Sequence, residues 1–128
     1  MTRQELIDTV AERFSVEPDF PWGTMEDGYV FRHRDSRKWF GVGMTVPYDR
    51  LGLAREGSVD IVDVKSGPLL QGSYLVLPGI LPGYHMNKTH WLTILLDGTA
   101  DDEAIRELLD ISYELTKTRG HKNRGKTA

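Results

Sequence analysis

The feature that most limits what this chain can fold into is a change of hydrophobic period along its length. Leu6, Ile7, Val10, Ala11 and Phe14 recur at helical spacing near the start, and Ile105, Leu108, Leu109, Ser112 and Leu115 do so near the end. The segments between them alternate or run apolar over short stretches, as strands do. Helices at both ends of a block of strands pack as helices on a sheet. We therefore expect an α+β fold, an antiparallel β-sheet with two main helices packed on one face as a two-layer sandwich.

Local signals place the elements. Thr2 followed by Glu5 is a capping box opening a helix over about Arg3 to Phe14. Proline and glycine between Ser15 and Gly28 mark a loop, with Phe20 and Trp22 expected to pin it to the core. Tyr29 to Arg32 and Lys38 to Thr45 read as a hairpin around the polar run His33 to Arg37. In its second strand Phe40, Val42 and Met44 alternate with Gly41 and Gly43, so one face is packed and the other admits a close neighbour. A third strand spans Ser58 to Lys65, and because Val59 and Ile61 oppose Val62 and Val64, its inward register is expected to slip. Ser66-Gly67-Pro68 suggests a short helix ended by Gly72. Two Pro-Gly steps, Pro78-Gly79 and Pro82-Gly83, suggest a stiff double bend before a last strand over Met86 to Leu96. Thr99 then opens the final helix, which runs to about Lys117 and stops at Gly120, with Asp101, Asp102 and Glu103 at its positive end.

The 128 residues suffice for one domain with its own core, expected over residues 1–117. No cysteine is present, which excludes disulfides, thiolate metal sites and cysteine nucleophiles. With no apolar run long enough to span a bilayer and no signal-like start, a cytoplasmic protein without a membrane partner is the expectation. The formal charge of −3 hides an asymmetry: Lys117, Arg119, Lys122, Arg124 and Lys126 leave the preceding body at −8. The tail, residues 118–128, is expected to be basic and flexible. Such an arm suits phosphate backbones as well as plain solvation.

Two stretches concentrate chemistry. Arg32, Arg34, Arg37 and Lys38 converge on the hairpin tip with only Asp35 to offset them, which suits either a solvated turn or a wing presenting guanidinium groups to phosphate. Leu81 to Trp91 packs Tyr84, His85, Asn87, Lys88, His90 and Trp91 into one short run. Lys88 and His85 can meet phosphate, Asn87 a base edge, and an aromatic ring can stack. Read as a strand, His85 and His90 fall on opposite sides of it, so no shared metal is expected. Glu5, Asp8 and Glu12 on the first helix are too few to argue for a metal. No nucleophile elbow or phosphate-cradling glycine loop appears, so no catalytic residue is assigned.

The run Pro82-Gly83-Tyr84-His85-Met86-Asn87-Lys88, followed by His90-Trp91, Asp97-Gly98 and Ser112-Tyr113-Glu114-Leu115, resembles the signature of the MmcQ/YjbR family. Lys38-Trp39-Phe40 and the step from Val64-Lys65 to Pro68 are similar to it as well. The resemblance implies a frataxin-like fold and, from the family's usual label, DNA binding without catalysis. The expected interface comprises Arg32, Arg34, Arg37, Lys38, Lys65, Tyr84, His85, Asn87, Lys88, His90 and Trp91, with no cofactor and no metal. The alternative is a small-ligand or protein-interaction module with its pocket at Tyr84 to Trp91.

Overall fold

A computed structural model describes residues 1–118, and the basic arm from 119 onward lies outside the described residues. Helix α1 (Arg3–Phe14) opens as its capping box requires: Glu5 N–H donates to the Thr2 hydroxyl at 3.1 Å, and Thr2 N–H donates to the Glu5 carboxylate at 2.8 Å. Strands β1 (Tyr29–Arg32), β2 (Trp39–Pro47) and β3 (Ser58–Lys65) follow, then a short helix α2 (Gln71–Leu75), strands β4 (Ile80–Pro82) and β5 (Trp91–Leu95), and helix α3 (Asp102–Thr116). The five strands form one antiparallel sheet in the order β1-β2-β3-β5-β4. The α+β arrangement expected from the hydrophobic periods is the observed one.

Both long helices cover the same side of the sheet. Leu6, Ile7 and Val10 of α1 and Ile105, Leu108 and Leu109 of α3 bury against Tyr29, Phe31, Val62, Val64, Leu92 and Ile94. Burial of each such side chain contributes about 1.5 to 3 kcal/mol. Phe40 joins this core through a bulge: Phe31 pairs with Gly41 while Arg32 pairs with Trp39, leaving Phe40 as the extra residue. Its ring meets Phe14, Phe31 and Tyr113 at centroid distances of 5.3, 6.0 and 5.0 Å. The expected partnership of Phe40 with Val42 and Met44 is broken by that bulge. The glycine face of β2 receives rings of β1 rather than a separate partner.

The opposite face is also covered. Val46, Tyr48, Val59, Ile61 and Leu95 form a second buried cluster, with Leu51, Leu53, Leu81 and Tyr84 packed against it. The loop after β2, which includes a 3-10 turn over Tyr48–Leu51, folds back across this face and supplies three of those side chains. So β3 has no register slip: Val62 and Val64 serve the helix side, and Val59 and Ile61 serve the other. A strand buried on both faces loses its alternation.

Other details depart from expectation. The last strand begins at Trp91 rather than Met86, and residues 83–90 form a looped turn instead. Only the first Pro-Gly step is a turn of the expected kind, with Gly79 at φ 77°, whereas Pro82 ends β4. Helix α2 runs through Gly72, and Pro68 precedes it in a turn. Asp101, not Thr99, caps α3, accepting from the Glu103 and Ala104 amides at 3.1 and 3.3 Å. Leu115 is 45% exposed and leaves the buried stripe, and Phe20 and Trp22 are 41% and 49% exposed rather than pinned inside. Outside β1, Asp19 and Val30 exchange two backbone hydrogen bonds of 2.9 Å, so a short bridge lines that edge. No helix among the described residues is long and apolar enough to cross a membrane.

Candidate functional site

Antiparallel pairing decides which loops share an end of the sheet. Val42 opposes Asp63 and Lys65 opposes Trp91, so the β1-β2 hairpin tip, the end of β3 and the start of β5 lie at one end. Pro82 opposes Leu92, which brings the 83–90 loop there too. The last turn of α3 is tied to the same end. The Ser112 hydroxyl donates to the Phe40 carbonyl at 2.6 Å and accepts from the Lys65 amide at 2.9 Å. All eleven residues of the expected interface therefore gather at this end.

Gathering is not equivalence. Arg32 Nε and Arg37 Nη2 both donate to Asp19 Oδ2, at 2.9 and 2.8 Å, and Arg32 also lies 5.6 Å from the Trp39 ring centroid. Two of the four wing cations are thus already paired. Arg34 and Lys38 are exposed, and among the described residues neither has a carboxylate within 4.0 Å. Lys65 is half-buried at the strand end and has none either. Between the tip and the end of α3 lies a concavity of about 500 Å³, lined by His33, Arg34, Asp35, Tyr113, Lys117 and Thr118.

His33 was not anticipated as a special residue, since it sits in a polar run. It is buried, with Nε2 2.7 Å from the Thr116 hydroxyl, and its ring packs 4.3 Å from that of Tyr113. The Thr116 hydroxyl donates its single proton to the Ser112 carbonyl at 2.7 Å, so it accepts from His33 Nε2–H. Desolvation holds the His33 imidazole below its usual protonation range. It is a neutral ring that fastens the wing to α3.

The 83–90 loop is mostly self-satisfied. The Asn87 side chain accepts from the Thr89 amide at 2.9 Å, and its carbonyl accepts from the amides of His90 and Trp91. Asn87 therefore shapes the turn through its side-chain oxygen and its backbone carbonyl. Lys88 Nζ donates to the Gly83 carbonyl at 2.7 Å, and the Trp91 carbonyl accepts from Gly83 N–H and Gln71 Nε2. The His90 carbonyl takes the amides of Ser66 and Gly67. His85 is exposed at φ 60° and stacks on Tyr84 with centroids 3.9 Å apart. The two histidines flank a turn rather than a strand. Among the described residues no three His, Asp or Glu side chains converge as a metal site.

Beneath this loop lies a second residue not singled out from the sequence. Asp63, on the central strand β3, has no solvent exposure; Oδ1 accepts from the Thr93 hydroxyl, while Oδ2 has no partner. The Thr93 oxygen in turn accepts from the Tyr84 amide at 2.7 Å. Burial pushes the Asp63 carboxyl up to about 7, partly offset by Thr93 and by the charge of Lys88. An acid flanked by Ile61, Val62 and Val64 was the available signal. A carboxylate inside a run of β-branched residues rarely faces water.

Comparison with known proteins follows the same outline. The family model described as YjbR matches residues 13–115. The Bacillus subtilis relative named uncharacterized protein YyaQ is 36% identical over 117 residues, covering 91% of this chain and 99% of the relative. A crystal structure of a Pseudomonas syringae protein superposes with a TM-score of 0.86 at 41% identity, covering 91% of this chain and 100% of that one. The Deinococcus radiodurans protein DR2400 has a TM-score of 0.63 at 26% identity, covering 97% of this chain and 88% of the other.

Proposed function

The chain belongs to the YjbR family, and from that premise we propose that it is a non-enzymatic protein that seats the sugar-phosphate backbone of DNA against the hairpin end of its sheet. The observation that carries the reading is that exposed Arg34 shares one concavity with Lys117, with exposed Lys38 on the same hairpin and Lys65 at the same end of an otherwise acidic body. Arg34 and Lys117 line one concavity, so a phosphate there meets a guanidinium and an ammonium together. Asp35 on the same rim and Glu114, 3.5 Å from Lys117, oppose it, which suits a weak, salt-sensitive complex. Arg32 and Arg37 lie on the same wing, with their charge toward a phosphate partly offset by Asp19.

The frataxin-like scaffold enters this reading as shape alone. Iron handling is no part of it, because Glu5 caps its own helix and Asp8 accepts from Gln4. The test is fluorescence anisotropy of a short labelled DNA duplex with the full chain over a salt series. The logarithm of affinity is expected to fall with that of salt, by a slope of about 0.9 per neutralised phosphate. Arg34→Ala and Lys38→Ala should each flatten that slope by about 1. Absence of binding even at low salt ends the proposal.

A further inference from the structure

A second concavity, of about 270 Å³, opens on the face of the sheet away from the helices, between the loop after β2 and the turn that follows β4. Its walls are Leu51, Leu81, Pro82 and Tyr84, and two cations, Arg50 and Lys88, reach it from opposite elements. Among the described residues no carboxylate lies within 4.0 Å of either cation. Lys88 uses one donor on the Gly83 carbonyl, and an ammonium has three. We infer that this cavity binds a small organic acid, its carboxylate between Arg50 and Lys88 and its apolar body against Leu51, Leu81 and Pro82.

The chemistry follows from what the walls can and cannot satisfy. Two cations over a mainly apolar lining match a monoanion with a hydrocarbon body; a compact polyanion would leave the leucines wet and its remaining charge unmatched. A guanidinium fork grips a planar carboxylate through two parallel hydrogen bonds. Leu81 opposes Thr93, and Thr93 opposes Asp63, so the cavity floor continues directly into the row that holds the unpartnered Asp63 oxygen. That carboxyl is raised to about 7 by burial, so below neutrality it does not cancel Lys88. The inference is separable from DNA binding through Arg50, Leu51 and Leu81, which take no part in the expected nucleic-acid interface, whereas Tyr84 and Lys88 belong to both.

The experiment is a titration of the full chain with phenylacetate, hexanoate and, separately, inorganic phosphate, read by amide chemical shifts and by thermal unfolding. The two organic acids should move the amides around Leu51, Leu81 and Tyr84 and raise Tm by a few degrees near saturation. Phosphate should do neither. Arg50→Ala should weaken hexanoate binding about tenfold, as expected for a charge-assisted pair. Leu51→Trp should abolish it by filling the cavity, and Arg34→Ala should leave it unchanged. Failure of both acids to shift those amides, an equal response to phosphate, or undiminished binding in a folded Arg50→Ala protein would each overturn the inference.

Discussion

The ring of Tyr29 occupies the space that a side chain at Gly43 would need: a β-carbon there would stand 2.0 Å from Tyr29 Cζ. The two residues are cross-strand partners on β1 and β2, so the contact is fixed by pairing and neither can retreat. Gly43→Ala is expected to cost more than about 3 kcal/mol, measured by urea unfolding, because the overlap lies against a fully packed core. The phenol itself adds little, since the Tyr29 hydroxyl is buried without a partner. Tyr29→Phe should be neutral or stabilising by roughly 1 kcal/mol.

Asp63 gives a pH dependence of the less common sign. Its folded carboxyl titrates at about 7 against an ordinary 3.8, desolvation being the main cause. Between those values the native state binds more protons than the unfolded chain, so stability falls as pH rises through that window and levels off above it. The span is of the order of 4 kcal/mol. Asp63→Asn retains an acceptor for Thr93 and carries no charge. It should flatten the profile and raise stability at pH 8 by about 2 kcal/mol, allowing for one unpaired amide donor. A variant less stable than the parent at pH 8 would show that the buried charge has a bonding role the structure does not supply.

His33 works in the opposite direction. Its folded protonation range is depressed by desolvation, so it contributes stability above the unfolded value of about 6.5 that is lost as pH falls below it. Thr116→Val leaves the Nε2 proton without an acceptor and is expected to cost about 1 to 3 kcal/mol. Long-range nitrogen-proton NMR should find the Nε2–H tautomer in the parent protein at pH 7.

Asp19 restrains the wing electrically as well as mechanically. It holds Arg32 and Arg37 on one oxygen, and replacing it with asparagine removes a negative charge while keeping the outline. Asp19→Asn should tighten DNA binding at low salt and steepen the salt slope by about 1 to 2. An unchanged slope would mean that these two arginines do not face the nucleic acid.

Much of the frame was readable from local signals. The Thr2 and Glu5 capping box and the helical spacing placed α1, and Ser58 to Lys65 was bounded correctly, because these depend on neighbours in the chain. What failed depended on distant partners. Strand β4 is three residues long and exists only because it pairs with β5, and residues 86–90 alternate in type yet are bent into a turn by Asn87. The wing arginines looked free because Asp19 lies 13 and 18 residues away from them. Val59 and Val62 seemed to conflict until a loop from elsewhere covered the second face. The candidate residues lie at one end of the sheet, but which are free and which are already engaged is a property of contacts that spacing does not carry.

The bridge between Asp19 and Val30 has a consequence for how copies of this protein behave toward one another. A bare outer strand is a template on which a neighbouring chain can add its own, and this sheet withholds that template on both flanks. On one side the two 2.9 Å bonds from Asp19 already engage Val30. On the other, a three-residue strand ends in Pro82, which has no amide proton to donate. Among the described residues, neither margin presents a long, fully unpaired strand on which a second copy could lay its own.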